Sequence, residues 1–165
     1  MKIFVYSCRD DERELFEKYE KKWNLELGYC KEQPTMENAE LAKGYSCITV
    51  VGTKISEELL EKLYDTGVRC ICARCIGVDH IPLEKAKELG IRVSNITYSP
   101  NAVADYAILL MLMCLRREKY ILERYRVHDY SLAWNRGREL RDMTVGIVGG
   151  GRIGRTVMKQ ISGFG

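Results

Sequence analysis

No apolar run in the sequence approaches the ~18 residues that a membrane-spanning helix needs. The longest candidate, residues 102–115, is interrupted by Asp105. The chain also has no large excess of one charge, because the net charge is only +3 and basic residues are interleaved with acids, as at Arg13 and Glu14. We therefore expect neither a membrane protein nor a nucleic-acid partner.

The seven cysteines do not form the pattern of a disulfide framework. Their number is odd, and several lie inside apolar, strand-like runs, which is typical of reduced thiols in a cytoplasmic protein. Cys70, Cys72, Cys75 and His80 could be spaced for zinc, but Cys70 and Cys72 would share one face of a buried strand as small hydrophobes. We expect no metal site, a cytoplasmic location and no signal peptide, since the N-terminus leads directly into a strand-like segment.

Short apolar runs alternate with amphipathic segments through the first part of the chain. The predicted strands are residues 3–7, 25–30, 47–51, 68–73 and 91–94. The predicted helices begin near Asp10, Thr35, Ser56 and Pro82, and the glycines expected to end the last three are Gly44, Gly67 and Gly90. This alternation predicts a flavodoxin-like α/β domain over residues 1–98, with a parallel sheet and ligands beyond the carboxyl ends of its strands.

A different pattern begins at Ser99, which can cap a helix whose first position is Pro100. This helix is predicted to continue to about Tyr125, much further than the others. Its apolar face is wide and contains Val103, Ala107, Leu110, Met111, Cys114 and Leu115. Such a face has more apolar surface than one incomplete domain can cover.

A predicted strand over residues 144–148 leads into a glycine-rich turn. Gly149, Gly151 and Gly154 have the G-x-G-x-x-G spacing, and a helix that Gly163 would cap follows them. The first glycine permits the tight turn, the second lets the backbone approach a pyrophosphate, and the third lets helix and strand pack closely. The pattern predicts a dinucleotide site at a helix N-terminus, the alternative being a glycine-rich turn without a ligand.

The segment from Trp134 through Gly137 and Glu139 to Gly154 resembles the entry to the cofactor domain of D-isomer-specific 2-hydroxyacid dehydrogenases. Residues 94–106 resemble that family's crossover between its two domains. Within the crossover, residues 98–100 are similar to the D-lactate dehydrogenase branch, including the D-lactate dehydrogenases of vancomycin-resistance operons. Residues 1–4 and 9–11 fit the same branch. The resemblance covers the whole chain.

The resemblance implies binding roles for ten residues. The substrate would contact the backbone of Ile76 and Gly77 and the hydroxyl of Tyr98. The residues implied in NAD binding are Val103, Asp105, Gly149, Gly151, Arg152, Ile153 and Gly154. Tyr98 could instead be a half-buried hinge aromatic, and Asp105 a stabilising charge near a helix N-terminus.

The resemblance also implies an NAD-dependent oxidoreductase that reduces pyruvate or a related small 2-oxo acid to the D-2-hydroxy acid. The family's catalytic histidine, acid and arginine would lie beyond Gly165, so we assign no catalytic residue and expect the 165-residue chain alone to be inactive. His80 and His128 are expected to have loop or surface roles. The first domain would lack its C-terminal return helix, and residues 99–165 would form the first part of a Rossmann domain.

The family's dimer implies a homodimer through the helix after Pro100, with Leu110, Leu115 and Tyr120 near the contact. Two alternatives to an enzyme remain open. A dinucleotide-sensing binding module, related to corepressors, would use the same fold. A self-contained flavodoxin-like regulatory domain would have no use for the long helix or the glycine turn.

Overall fold

The computed structural model describes residues 1–165, which divide into two compact units, Met1–Thr97 and Tyr98–Gly165. None of the helices combines the length and the hydropathy that a membrane crossing requires.

The first unit contains a five-stranded parallel sheet, as predicted. Its strands are β1 (Lys2–Val5), β2 (Glu26–Tyr29), β3 (Cys47–Val50), β4 (Cys70–Ala73) and β5 (Arg92–Asn95). They lie in the order β2-β1-β3-β4-β5, and every neighbouring pair is parallel. Four of the five are shorter than the apolar runs that predicted them, because each of these runs extends past its strand at one or both ends.

One face of this sheet carries the hydrophobic core. Phe4, Ile48 and Ile71 are in register across β1, β3 and β4, and all three are buried. The leucines of the second helix, Leu60 and Leu63, belong to the same buried cluster. Apolar burial at about 25 cal/mol per Å² makes this cluster the main source of stability of the unit.

Three α-helices connect the strands: α1 (Asp10–Trp23), α2 (Glu57–Asp65) and α3 (Leu83–Glu88). Helix α2 begins as predicted, since Ser56 Oγ accepts a hydrogen bond from the Leu59 amide at 3.1 Å. The other two starts are shifted by one residue: Asp10 is the first residue of α1 rather than its cap, and Pro82 is the cap of α3.

The helix predicted to begin at Thr35 is wrong, because only one 3₁₀ turn forms, at Ala39–Ala42. The side chain of Asn38 accepts a hydrogen bond from the Thr35 amide at 2.8 Å and donates one to the Gln33 carbonyl at 2.8 Å. Side chains that bond the nearby backbone in this way compete with helix formation.

The second unit contains α4 (Asn101–Leu115), α5 (Glu118–Tyr125) and α6 (Arg152–Ile161). The prediction of one helix from Pro100 to about Tyr125 is therefore wrong. The helix is interrupted at Arg117, which adopts a left-handed backbone conformation with φ of 56°. The Leu115 carbonyl, at the end of α4, accepts a hydrogen bond from the Arg138 amide at 3.0 Å, so the returning loop satisfies the helix end.

Within the second unit, α4 buries only part of its apolar surface. Ala104 and Ile108 are its buried residues, and they pack in the same unit as Val157 of α6. The predicted residues Val103 and Leu110 are exposed. Because α4 is apolar on nearly all sides, its sequence did not distinguish the covered face from the open one.

The strand predicted over residues 144–148 is absent, because no neighbouring strand pairs with this segment. A strand exists only through its ladder of hydrogen bonds, so an apolar run without a partner is not a strand. Gly163 does not form the predicted left-handed helix cap either. Helix α6 instead continues into a 3₁₀ turn at Ser162–Phe164.

Candidate functional site

The loop after β4 is anchored by the guanidinium of Arg74. This group donates hydrogen bonds to the backbone carbonyls of Tyr6 at 3.0 Å and Ser7 at 2.9 Å. It also donates to Thr49 Oγ1 at 3.3 Å and lies 3.5 Å from Glu12 Oε2. Only 12% of the Arg74 side chain is exposed, and burial lowers its pKa. Arg74 therefore joins the carboxyl ends of β1, β3 and β4 to α1.

The sequence analysis gave Arg74 no role. A cation directly after the apolar run of β4 was the available signal, because a charge in that position must find partners. Its partners lie 25 to 68 residues away in sequence, so spacing could not identify them.

Ile76 and Gly77, whose backbone is predicted to contact the substrate, lie on the exposed part of the same loop. The Ile76 carbonyl accepts a hydrogen bond from Asn95 Nδ2 at 2.7 Å, which ties the loop to the end of β5. The Gly77 carbonyl is 3.2 Å from Cys75 Sγ. Within the first unit, neither the Ile76 nor the Gly77 amide donates a hydrogen bond. These free donors at an exposed glycine can bind an anion.

Tyr98, the third predicted substrate residue, begins the second unit, and 44% of it is exposed. Its carbonyl oxygen accepts a hydrogen bond from the guanidinium of Arg152 at 3.2 Å. Two residues predicted separately, one for substrate and one for cofactor, are thus in contact within this unit.

The glycine turn before α6 has the geometry that the fingerprint predicts. Gly149 has φ of +104°, a conformation that favours glycine. A Cβ at Gly154 would collide with the Gly149 carbonyl oxygen and lie 3.2 Å from Ile147 Cγ2, so helix and turn are in direct contact. A Cβ at Gly151 would have no atom within 4 Å, which leaves open space beside the backbone where a ligand can approach.

The N-terminus of α6 also fits an anionic group. No side chain caps it, and its first turn contains no acid. The first intrahelical bond is donated by the Arg155 amide to the Gly151 carbonyl at 3.0 Å. The amides of Arg152, Ile153 and Gly154 therefore remain available at the positive end of the helix dipole. A dinucleotide pyrophosphate has the charge and size for this cradle.

Val103 and Asp105 lie near the start of α4, and both are exposed. Asp105 Oδ1 accepts a hydrogen bond from Gln160 Nε2 at 2.8 Å, which links α4 to α6. Asp105 thus has a structural role inside the unit in addition to any role toward a cofactor.

All seven cysteines are free thiols. No group of three or more histidine, cysteine, aspartate or glutamate side chains is arranged to hold a metal ion.

Comparison with known proteins identifies the family. Residues 3–162 match the D-isomer specific 2-hydroxyacid dehydrogenase family, catalytic domain. The chain is 39% identical over 166 residues to a D-specific alpha-keto acid dehydrogenase of Enterococcus faecalis, covering 100% of this chain and 51% of the relative. It is 38% identical to a D-lactate dehydrogenase of Lactobacillus delbrueckii subsp. bulgaricus, covering 99% of this chain and 50% of the relative.

Solved structures agree with the sequence relatives. The apo structure of D-lactate dehydrogenase from Escherichia coli matches with a TM-score of 0.84 and 31% identity, over 99% of this chain and 53% of that protein. D-lactate dehydrogenase with NAD+ from Lactobacillus jensenii matches with a TM-score of 0.72 and 28% identity, over 99% and 51%. The chain spans about half the length of the curated relatives it matches. It belongs to the D-isomer specific 2-hydroxyacid dehydrogenase family.

Proposed function

We propose that a full-length protein containing these 165 residues is an NAD-dependent dehydrogenase that reduces a small 2-oxo acid, pyruvate in the first instance, to the D-2-hydroxy acid. Its relatives include dehydrogenases and a reductase named for 2-oxo or 2-hydroxy acids of this class, and one solved relative contains NAD+. Residues 1–98 would form the substrate domain without its C-terminal return helix, and residues 99–165 the first part of the cofactor domain.

The glycine turn is the observation that carries this proposal. Gly149 has the required left-handed backbone, Gly154 contacts the Gly149 carbonyl, and Gly151 faces open space. The amides of Arg152 and Ile153 would bind the pyrophosphate. Val103 and Asp105 would lie beside the cofactor from the start of α4. Bound NAD supplies or accepts the hydride at its nicotinamide ring.

The substrate residues have a separate physical basis. The free amides of Ile76 and Gly77 would bind the carboxylate, and Arg74 would keep their loop in place through its bonds to Tyr6 and Ser7. The Tyr98 hydroxyl would add a polar contact. For the dehydrogenase reaction we assign neither histidine as general acid or base, a role typically worth ~10²–10⁴ in rate.

The test uses the full-length protein and follows NADH absorbance with pyruvate and, separately, with phenylpyruvate. Preference for pyruvate supports a D-lactate dehydrogenase, whereas preference for phenylpyruvate assigns an aromatic 2-oxoacid reductase, as in one relative. The 165-residue chain alone should show no turnover. Turnover by that chain at the rate of an intact dehydrogenase would overturn our placement of the catalytic groups.

A pair of substitutions tests the cofactor site directly. Gly151→Ala places a methyl group in the open space and should weaken NADH binding, measured by fluorescence titration, without lowering stability. Gly150→Ala, in the same turn and equally unobstructed, is the matched control. Equal NADH affinities for both variants and the parent would contradict the proposed pyrophosphate position.

We also propose a homodimer through α4 and α5. A groove of about 550 Å³ is lined by Leu110, Met113, Cys114 and Tyr120, with the charged Arg117, Lys119 and Glu123 also in its lining. Leu110 is 44% exposed. Leu115, also predicted near the contact, is half-buried. An apolar face of this kind is commonly covered by a symmetry-related copy.

The seven free thiols favour a reducing compartment such as the cytoplasm.

Sedimentation of the full-length protein measures the association. Leu110→Glu should shift the dimer to monomer, because a carboxylate would be buried at the contact. Leu15→Glu on the exposed face of α1 is the control and should leave the dimer intact. A monomeric parent protein at micromolar concentration would refute the dimer.

A further inference from the structure

The loop after β4 brings a thiol and an imidazole together. Cys75 Sγ lies 4.0 Å from His80 Nε2 and 3.2 Å from the Gly77 carbonyl oxygen. The backbone fixes this arrangement, because the His80 carbonyl accepts a hydrogen bond from the Ile55 amide at 2.9 Å. The two side chains are thus held by a folded loop and do not meet by chance at a mobile surface.

Cys75 differs from the other six thiols in having an imidazole beside its sulfur. Cys8 and Cys30 are buried, and burial raises the pKa of each. Burial and the neighbouring Cys70 thiol raise the pKa of Cys47 to about 12. Cys114 is exposed on α4, and its sulfur contacts no imidazole. Cys30 Sγ donates a hydrogen bond to the Glu32 carboxylate at 2.9 Å, but burial and this carboxylate both raise the pKa of the thiol. Since the thiolate is the nucleophile, none of these four thiols has a neutral base beside its sulfur to generate it.

We propose that Cys75 is a modification site for low-molecular-weight disulfides, with His80 as the base. His80 takes the proton of the thiol as Cys75 Sγ attacks one sulfur of the disulfide. A new S–S bond forms to Cys75, the original S–S bond breaks, and the second sulfur leaves as a thiolate. Cys75 is oxidised, the released sulfur is reduced, and the proton on His80 passes to solvent or to the released thiolate.

This site goes beyond the dehydrogenase activity, because the exchange needs neither cofactor nor 2-oxo acid. Its position has a consequence that does rest on the proposed function. A mixed disulfide at Cys75 adds a bulky group next to Ile76 and breaks the contact between Cys75 Sγ and the Gly77 carbonyl. Modification would therefore disturb the loop that we propose binds the substrate carboxylate.

The experiment treats the 165-residue chain with oxidised glutathione at neutral pH and measures the rate at each cysteine by peptide mass spectrometry. Cys75 should be modified at least about tenfold faster than the more exposed Cys114, because an ordinary thiol is only a few per cent thiolate at this pH. His80→Gln should lower the Cys75 rate to that of Cys114. The Cys114 rate should not change, and His128→Gln should change neither.

Two results would overturn the proposal: a Cys75 rate no greater than that of Cys114 in the parent chain, or an unchanged Cys75 rate in the His80→Gln variant. Circular dichroism checks that each variant is folded, and His80→Asn replaces His80→Gln if the latter is not. The parent comparison requires no variant at all. Because no step involves NADH or pyruvate, failure here is distinguishable from failure of the dehydrogenase assignment.

Discussion

Replacing Gly154 with alanine should destabilise α6 and the turn before it, whereas the same change at Gly150 should not. The new Cβ at position 154 would collide with the Gly149 carbonyl oxygen. That oxygen belongs to a backbone with φ of +104° and cannot rotate away as a flexible side chain would. Carbon and carbonyl oxygen ordinarily approach no closer than about 3.3 Å, so α6 or the turn must move by roughly 1 Å.

The expected loss of stability in Gly154→Ala is the difference between two effects. Overpacking typically costs about 1–3 kcal/mol, and a collision with backbone lies at the upper end of that range. Alanine within a helix returns up to about 1 kcal/mol relative to glycine. The net loss is about 2 kcal/mol, which corresponds to roughly thirtyfold faster opening at 25 °C. Gly150, with no atom within 4 Å of its added Cβ, should change by less than about 0.5 kcal/mol.

Native-state hydrogen exchange of the amides in α6 measures both variants, because local opening controls exchange there. Amides of the first unit, such as those of β3, provide an internal reference that neither change should move. Exchange in α6 that is the same for Gly154→Ala and the parent would refute the close contact between helix and turn. An equal effect from Gly150→Ala would show that the turn tolerates no side chain anywhere, for a reason other than this contact.

Three further predictions concern the first unit and are measured by urea denaturation. Ser56→Ala should lower the free energy of unfolding by about 1 kcal/mol, since the Leu59 amide loses its cap, while Ser56→Thr should retain most of it. Burial raises the pKa of Tyr6 above its ordinary 10.0. The contribution of Tyr6 to the free energy of unfolding is therefore complete below about pH 10 and is lost as the pH rises further. Tyr6→Phe should weaken this loss of stability at alkaline pH, and an identical pH dependence in the two proteins would contradict the prediction. Arg74→Met should lower the free energy of unfolding by about 1–3 kcal/mol, because the carbonyls of Tyr6 and Ser7 lose their hydrogen-bond donor. Arg74→Lys should restore only part of this loss, because an ammonium group lacks the planar, multiple donors of a guanidinium. Full stability of Arg74→Met would exclude the anchoring role.

The sequence alone predicted the sheet and the family, and both are confirmed. The five strands could be recognised because each reads as a short apolar run between amphipathic segments, which is typical of a parallel sheet covered by helices. The glycine turn could be recognised because three requirements each exclude a side chain at one position: the tight turn, the approach of a ligand to the backbone, and the packing of helix on turn. These three positions have a fixed spacing in the sequence. These requirements are local, so a few neighbouring residues express them.

What failed at sequence level depended on partners distant in the chain. The run at residues 144–148 has the composition of a strand, but no neighbouring strand pairs with it. The break at Arg117 is accompanied by a returning loop whose Arg138 amide bonds to the Leu115 carbonyl. The composition of a segment indicates whether it favours a strand or a helix. Strand pairing and helix termination also require a second segment in contact with the first.

The same distinction applies to the side chains of the candidate site. The resemblance predicted binding roles for Ile76 and Gly77, and the glycine spacing predicted one for Gly151. Neither could show that Arg74 holds the loop or that His80 lies against Cys75. Arg74 reaches Tyr6 across 68 residues, and the Cys75–His80 contact depends on the turn between them. Local backbone requirements are written in neighbouring residues, while hydrogen bonds between separate elements form only where folding brings their atoms within about 3 Å.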